Sequence, residues 1–108
     1  MPKTADGLKL GSNRLFNRVN VSFNGVPGAS YYIVEIAKNA SFNNAYACRL
    51  KAGTTSMSFH SVEFGSKKET IRSGVKYYVR VRVVQTVDYN KTCVDLYSSW
   101  CATKSIKY

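Results

Sequence analysis

His60 and three cysteines, Cys48, Cys93 and Cys101, are the residues best suited to nucleophilic or metal chemistry in this chain. A structural zinc site needs four ligands in tight pairs, and no CxxC accompanies the single histidine, which argues against a metal centre. Acid–base catalysis needs paired carboxylates, or a carboxylate beside a histidine. Asp6, Glu35, Glu63, Glu69, Asp88 and Asp95 instead stand singly, and Glu63 and Glu69 bracket Lys67–Lys68 on what reads as a solvated loop. No GxSxG, HExxH, P-loop or GxGxxG string occurs. These residues predict a chain with no active site and no cofactor. A Cys93–Cys101 bridge would staple a loop in an oxidising compartment; free buried thiols are the alternative.

Charge is the second source of chemistry. Sixteen Lys and Arg oppose six Asp and Glu, a formal net charge of +10. Such an excess favours polyanions: nucleic acid, an anionic polysaccharide or wall polymer, or a membrane surface. The basic residues scatter, with Lys67–Lys68 the only adjacent pair, as plain surface charge would. Their densest stretch is also aromatic. Lys76, Tyr78, Arg80 and Arg82 alternate along KYYVRVRVV, and Trp100 and Lys104 join them by parity if the last strand pairs alongside. One reading is a patch that stacks on a sugar or holds a polyanion. The other is a Trp ring between guanidinium groups, a cation–π ladder worth ~0.5–1 kcal/mol per exposed contact. Arg80 and Arg82 stand two apart, as stacking along a strand requires, which favours the ladder.

The elements that position these residues are strands. RVNVSF (18–23) alternates with Val19, Val21 and Phe23 on one face. YYIVEIAK (31–38) turns Tyr32, Val34 and Ile36 inward and Tyr31, Ile33 and Glu35 outward. KYYVRVRVV (76–84) turns Tyr77, Val79, Val81 and Val83 inward, with one wet face. Weaker candidates are 8–10, 47–50, 57–59 and 100–106. Pro27–Gly28 is a turn dipeptide, a fixed φ followed by a residue free to take positive φ. Tyr31, Tyr46, Tyr89 and Tyr97 fall near loops or outer faces. TVDYNKTCVDLY (86–97) reads as a solvated loop, or as a recognition loop built on its tyrosines. The Asn20, Asn39 and Asn90 sequons matter only in a eukaryotic secretory setting. About seven short strands point to an antiparallel sandwich.

Length allows one domain: 108 residues, 44% hydrophobic and 13% aromatic, supply a core and exclude a disordered chain. No apolar run approaches the ~20 residues of a membrane helix, so no membrane insertion is expected. Residues 1–7 read as a disordered or linker segment without the apolar region of a signal peptide. Residues 8–108 read as the domain.

The strings themselves resemble those of a known family. VSFNGVPGASYYIVEIAKNASF is similar to the B-to-C hairpin of a fibronectin type III domain, with Phe23 where Trp often stands, then Pro27, then Tyr32 in a Tyr-x-Val strand. IRSGVKYYVRVRVV resembles that family's E–F corner and strand F, with Ile71 in the Leu place, Ser73 in the Pro place, and Tyr77 as the corner tyrosine. YSSWCATKSIKY resembles the last strand, with Cys101 in place of the usual Ser. The resemblance implies an all-β, seven-stranded immunoglobulin-like sandwich, and modules of large secreted or surface proteins of Gram-positive bacteria. It implies a non-catalytic spacer, scaffold or interaction domain, partnered by neighbouring domains and by a wall polysaccharide or a protein. Nucleic acid ranks below these. The alternative is a binding module for an anionic polymer or glycan, through the basic-aromatic F/G face or the F–G loop.

Overall fold

The computed structural model describes residues 3–13 and 17–107, with ten strands and, among the described residues, no helix. In chain order these are β1 (Asp6–Asn13), β2 (Arg18–Asn24), β3 (Tyr31–Ala37), β4 (Tyr46–Lys51) and β5 (Ser56–Phe59). There follow β6 (Ser61–Phe64), β7 (Lys67–Thr70), β8 (Lys76–Tyr89), β9 (Thr92–Tyr97) and β10 (Lys104–Lys107). One sheet has the order β1-β2-β5 and the other β10-β8-β3-β4, with β9 also on β8; every pairing is antiparallel.

The inward residues of the two sheets meet in one core. Val19, Val21, Phe23 and Phe59 come from the first sheet; Tyr32, Val34, Ile36, Tyr77, Val79, Val81 and Val83 come from the second. Burying a Val side chain is worth roughly 1.5–3 kcal/mol, several times one exposed cation–π contact. The valine rows therefore decide the fold, and anything on the outer face adjusts it.

Two tyrosines close the ends. Tyr32 packs edge-on against Phe23 at 4.9 Å, and its hydroxyl accepts the Val26 amide at 2.9 Å. That amide opens the Pro27–Gly28 turn, where Ala29 N donates to Val26 O at 3.2 Å and Gly28 takes φ 84°. A positive φ at this position, after Pro, is a type II turn and explains the dipeptide. Tyr77 accepts the Arg72 amide at 3.1 Å beside fully buried Ile71, the corner role expected of it.

Several expectations shift. Ten strands replace about seven for two reasons. The 92–97 segment, expected within a loop, forms β9, while the final strand expected over 100–106 shortens to β10. The 62–71 connection, read as a charged loop, forms the β6–β7 hairpin, paired Ser61↔Thr70 to Phe64↔Lys67. The 86–97 stretch is likewise no loop. β8 runs on to Tyr89 and returns as β9 through Asn90 (φ 49°) and Lys91 (φ 65°), both left-handed as a two-residue hairpin turn requires. At the other end, β1 starts at Asp6 and Ala5 is buried, so part of the expected linker belongs to the domain; residues 1–2 lie outside the described residues. Gly7 (φ 68°) sits where a Cβ would come within 2.4 Å of the Asn24 side chain, so a larger residue would be strained in its backbone and would push that side chain aside.

Candidate functional site

The outer face of the second sheet gathers most of the expected site. Its geometry follows from how the chain crosses β8 between β9 and β10. Ser98 N donates to Val83 O at 2.9 Å, while Val83 N donates back to Ser98 Oγ at 2.8 Å. Cys101 N donates to Val81 O at 2.9 Å, and Val81 N donates to Cys101 Sγ at 3.2 Å. Three positions on one chain thus span two on the other, which is the count of a bulge. The extra residue places Cys101 inward, 7% exposed, and throws Trp100 outward.

Trp100 lands between two guanidinium groups, with Arg80 Cζ 4.1 Å and Arg82 Cζ 4.3 Å from its ring centre. Phe42 continues the stack beyond Arg80 at 4.1 Å, and Tyr97 beyond Arg82 at 5.3 Å. Glu35, the cross-strand partner of Arg80, takes its Nε at 2.8 Å and its Nη2 at 2.7 Å. The ladder expected of Arg80, Arg82 and Trp100 is therefore formed, longer than foreseen. Phe42 and Glu35 were not picked out. Glu35 was visible as an outward residue of its strand; Phe42, in a turn at φ 56°, carries no pattern that would have singled it out.

The remaining predicted residues divide. Lys76 lies over the Tyr78 ring at 5.4 Å, at the far end of the same face. Lys104 does not join them. A second extra residue between Cys101 and β10 sets Lys104 opposite inward-facing Val79 and puts Ser105 beside Tyr78. Parity carried from Trp100 fails because the strand is not continuous. Tyr89, 67% exposed at the hairpin tip, shares a face with Val87, Val94 and Leu96, whereas Tyr97 lies on the opposite face. The two tyrosines do not form one recognition surface. Tyr46 also departs from expectation: it faces Ile36 and packs edge-on to Phe59 at 6.2 Å, inside the sandwich.

Tyr31 points outward yet is buried beneath Arg49, whose Cζ stands 3.6 Å from the ring centre. Its hydroxyl donates to Asp95 Oδ2 at 3.2 Å. Burial, and then the Asp95 carboxylate, push its ionisation above the usual phenol range.

The thiols are unbridged. Cys93 pairs with Asp88 and Cys101 addresses Val81, seven positions away along β8. That is roughly 23 Å of strand, against less than ~7 Å between Cα atoms in a disulfide. The proposed staple is excluded by this register. Burial raises the Cys101 thiol above its ordinary range, and Cys48, half-buried on β4, likewise. His60 is exposed, with Nδ1 3.2 Å from Asn17 O. Glu69 meets Lys38 at 2.6 Å and is held below the usual carboxylate range by that bond. Among the described residues no three His, Cys, Asp or Glu side chains converge as a metal-ligand set. On the other sheet an open trough of about 480 Å³ runs between Lys9, Asn20, Ser22 and Ser58, where the Ser58 hydroxyl donates to Asn20 Oδ1 at 2.7 Å.

No protein-family model matches the chain, and no curated protein does. A solved structure does: a Fn3-like protein from Clostridium thermocellum, at a TM-score of 0.56 and 22% identity, over 92% of this chain and 88% of that one. This chain has a fibronectin type III-like fold. Within that fold Tyr77, Ile71, Pro27, Tyr32 and Phe23 all hold structural places, as their strings suggested. The Fn3-like module departs from a plain sandwich at three places: the β6–β7 hairpin, the long β8–β9 hairpin and the broken last strand.

Proposed function

We propose that the chain is a non-catalytic module that spaces and orients neighbouring domains in an extracellular or cell-surface bacterial protein. The observation that carries this reading is the placement of its first and last strands. Asp6 of β1 pairs with Asn24, next to the turn that leads into β3, whereas Lys107 of β10 pairs with Lys76, where β8 lies against the far end of β3. The outer ends of the first and last described strands, Asp6 and Lys107, thus lie toward opposite ends of the sandwich, although the two strands pack against each other. Domains joined in line through such a unit are held apart by a fixed length. The outer-face ladder supports the same reading, because the Trp100 ring is already covered by Arg80 and Arg82, and Arg80 is paired with Glu35. The wider alternative, a polyanion surface across the whole aromatic-basic face, is narrowed by Glu35, which neutralises Arg80.

Fluorophores on Lys3→Cys and Lys107→Cys, in a chain with Cys48, Cys93 and Cys101 replaced by Ser, test the spacer reading by energy transfer. One narrow distance under native conditions is expected. A broad or shifting distance distribution in the folded protein would remove the spacer role.

A further inference from the structure

Arg80 has a carboxylate partner; two other arginines on the same face do not. Ile33 pairs with Arg49 on one side and with Arg82 on the other, so both lie in one row across the sheet. Their Cα atoms are roughly 10 Å apart by strand spacing. Arg49 lies flat on Tyr31 at 3.6 Å, and Arg82 lies between Trp100 at 4.3 Å and Tyr97 at 5.3 Å. Among the described residues neither guanidinium has a carboxylate within ion-pair distance, and Arg82 Nε is buried with no hydrogen-bond partner. Stacking occupies the faces of these groups and leaves in-plane N–H donors for an oxyanion; on Arg82, whose Nε is enclosed, these are the terminal Nη groups. It also orders the two side chains before any ligand arrives, which lowers the entropy cost of binding.

We infer that Arg49 and Arg82 form a two-point oxyanion site across β3 that takes the sulfate or carboxylate groups of an anionic polysaccharide. The surroundings choose among polyanions. Nucleic acid gains affinity by stacking bases on open aromatic faces, and here the Tyr31 and Trp100 rings are already covered by guanidinium groups. A protein partner wants an apolar centre, and of the large exposed apolar residues among those described Tyr97 alone lies on this face, while Val94, Leu96 and Tyr89 lie on the opposite face of the β8–β9 hairpin. A hydrated sugar chain needs neither, and the net charge of +10 draws it in. The nearby acids do not compete strongly. Glu35 is paired with Arg80, and Asp95 accepts hydroxyls from Tyr31 and Thr86. This site rests on the polyanion reading of the face and not on the spacer reading; a chain that binds nothing can still be a spacer.

Titration calorimetry at low salt tests it, with a heparin hexasaccharide for sulfate plus carboxylate and a hyaluronan hexasaccharide for carboxylate alone. Maltohexaose, single-stranded DNA and poly-glutamate complete the set. One or both anionic sugars should bind, more weakly as salt rises. Arg49→Ala should weaken binding roughly tenfold, since charged hydrogen bonds of this kind carry about that factor. The protein should stay folded, its melting temperature falling only by the few degrees that one lost cation–π contact costs. Lys68→Ala, an equal charge loss on β7, should change affinity little. The proposal falls if neither sugar binds, if Arg49→Ala and Lys68→Ala have equal effects, or if DNA or poly-glutamate binds more tightly than both sugars.

Discussion

The side-chain hydroxyl of Ser98 stands where a strand carbonyl would, accepting the Val83 amide at 2.8 Å. Cys101 does the same for Val81 with its sulfur at 3.2 Å. Side chains that substitute for backbone let the chain leave the ladder for two residues without stranding donors of β8. That freedom is what turns Trp100 outward onto Arg80 and Arg82.

Removing the hydroxyl should show its worth. In Ser98→Ala the Val83 amide, buried in the sandwich, loses its acceptor, at a cost of about 1–3 kcal/mol. Urea denaturation should give a lower midpoint with an unchanged slope.

Position 101 should tolerate an acceptor and reject a hydrocarbon. Cys101→Ser keeps a group able to accept the Val81 amide, and its stability should stay within about 1 kcal/mol of the parent. Cys101→Val has similar bulk and no acceptor, and should lose about 2 kcal/mol by the same measurement. Equal losses for the two would show that packing alone matters there.

Thiol labelling should be ordered. Cys93 is exposed on β9, Cys48 is half-buried, and Cys101 is buried with its ionisation raised by desolvation. Because the thiolate is the reactive form, Cys93 should modify first and Cys101 only on unfolding. Under air oxidation no Cys93–Cys101 cross-link should form within the folded chain.

Tyr31 links stability to alkaline pH. Its folded-state ionisation lies above the unfolded value near 10, so the folded protein holds that proton more tightly. The resulting stability is complete below the unfolded value and is lost as pH rises through the folded one. Asp95→Ala removes the hydrogen bond and the charge that act after burial, so ultraviolet titration should show one tyrosine ionising at lower pH than in the parent.

The fold was legible because its core is written in period two: Val19, Val21 and Phe23 on one strand, and Tyr77, Val79, Val81 and Val83 on another, are all buried. Turn chemistry at Pro27–Gly28 and the corner at Tyr77 were equally plain. The ladder was readable from the spacing of Arg80 and Arg82. Lys104 was misplaced because parity holds only along an unbroken strand, and no residue type announces that Ser98 and Cys101 will accept backbone amides. The β8–β9 hairpin was hidden by its turn. Asn90–Lys91 lacks the glycine that usually marks a two-residue turn, although alternation in 92–97 would have suggested the returning strand. Arg49 over Tyr31 joins residues on neighbouring strands, a contact that only register reveals.

The claim that the aromatic-basic face is stabilising scaffold is tested most directly by a double-mutant cycle on Arg82→Met and Trp100→Leu, measured by urea denaturation. Met keeps the apolar stem of Arg82 and removes its charge, so the cycle isolates the guanidinium on the ring. A coupling of about 1 kcal/mol is expected for a half-buried pair at this distance. Two changes that add to within about 0.3 kcal/mol would mean that the stack contributes nothing, and would contradict the account.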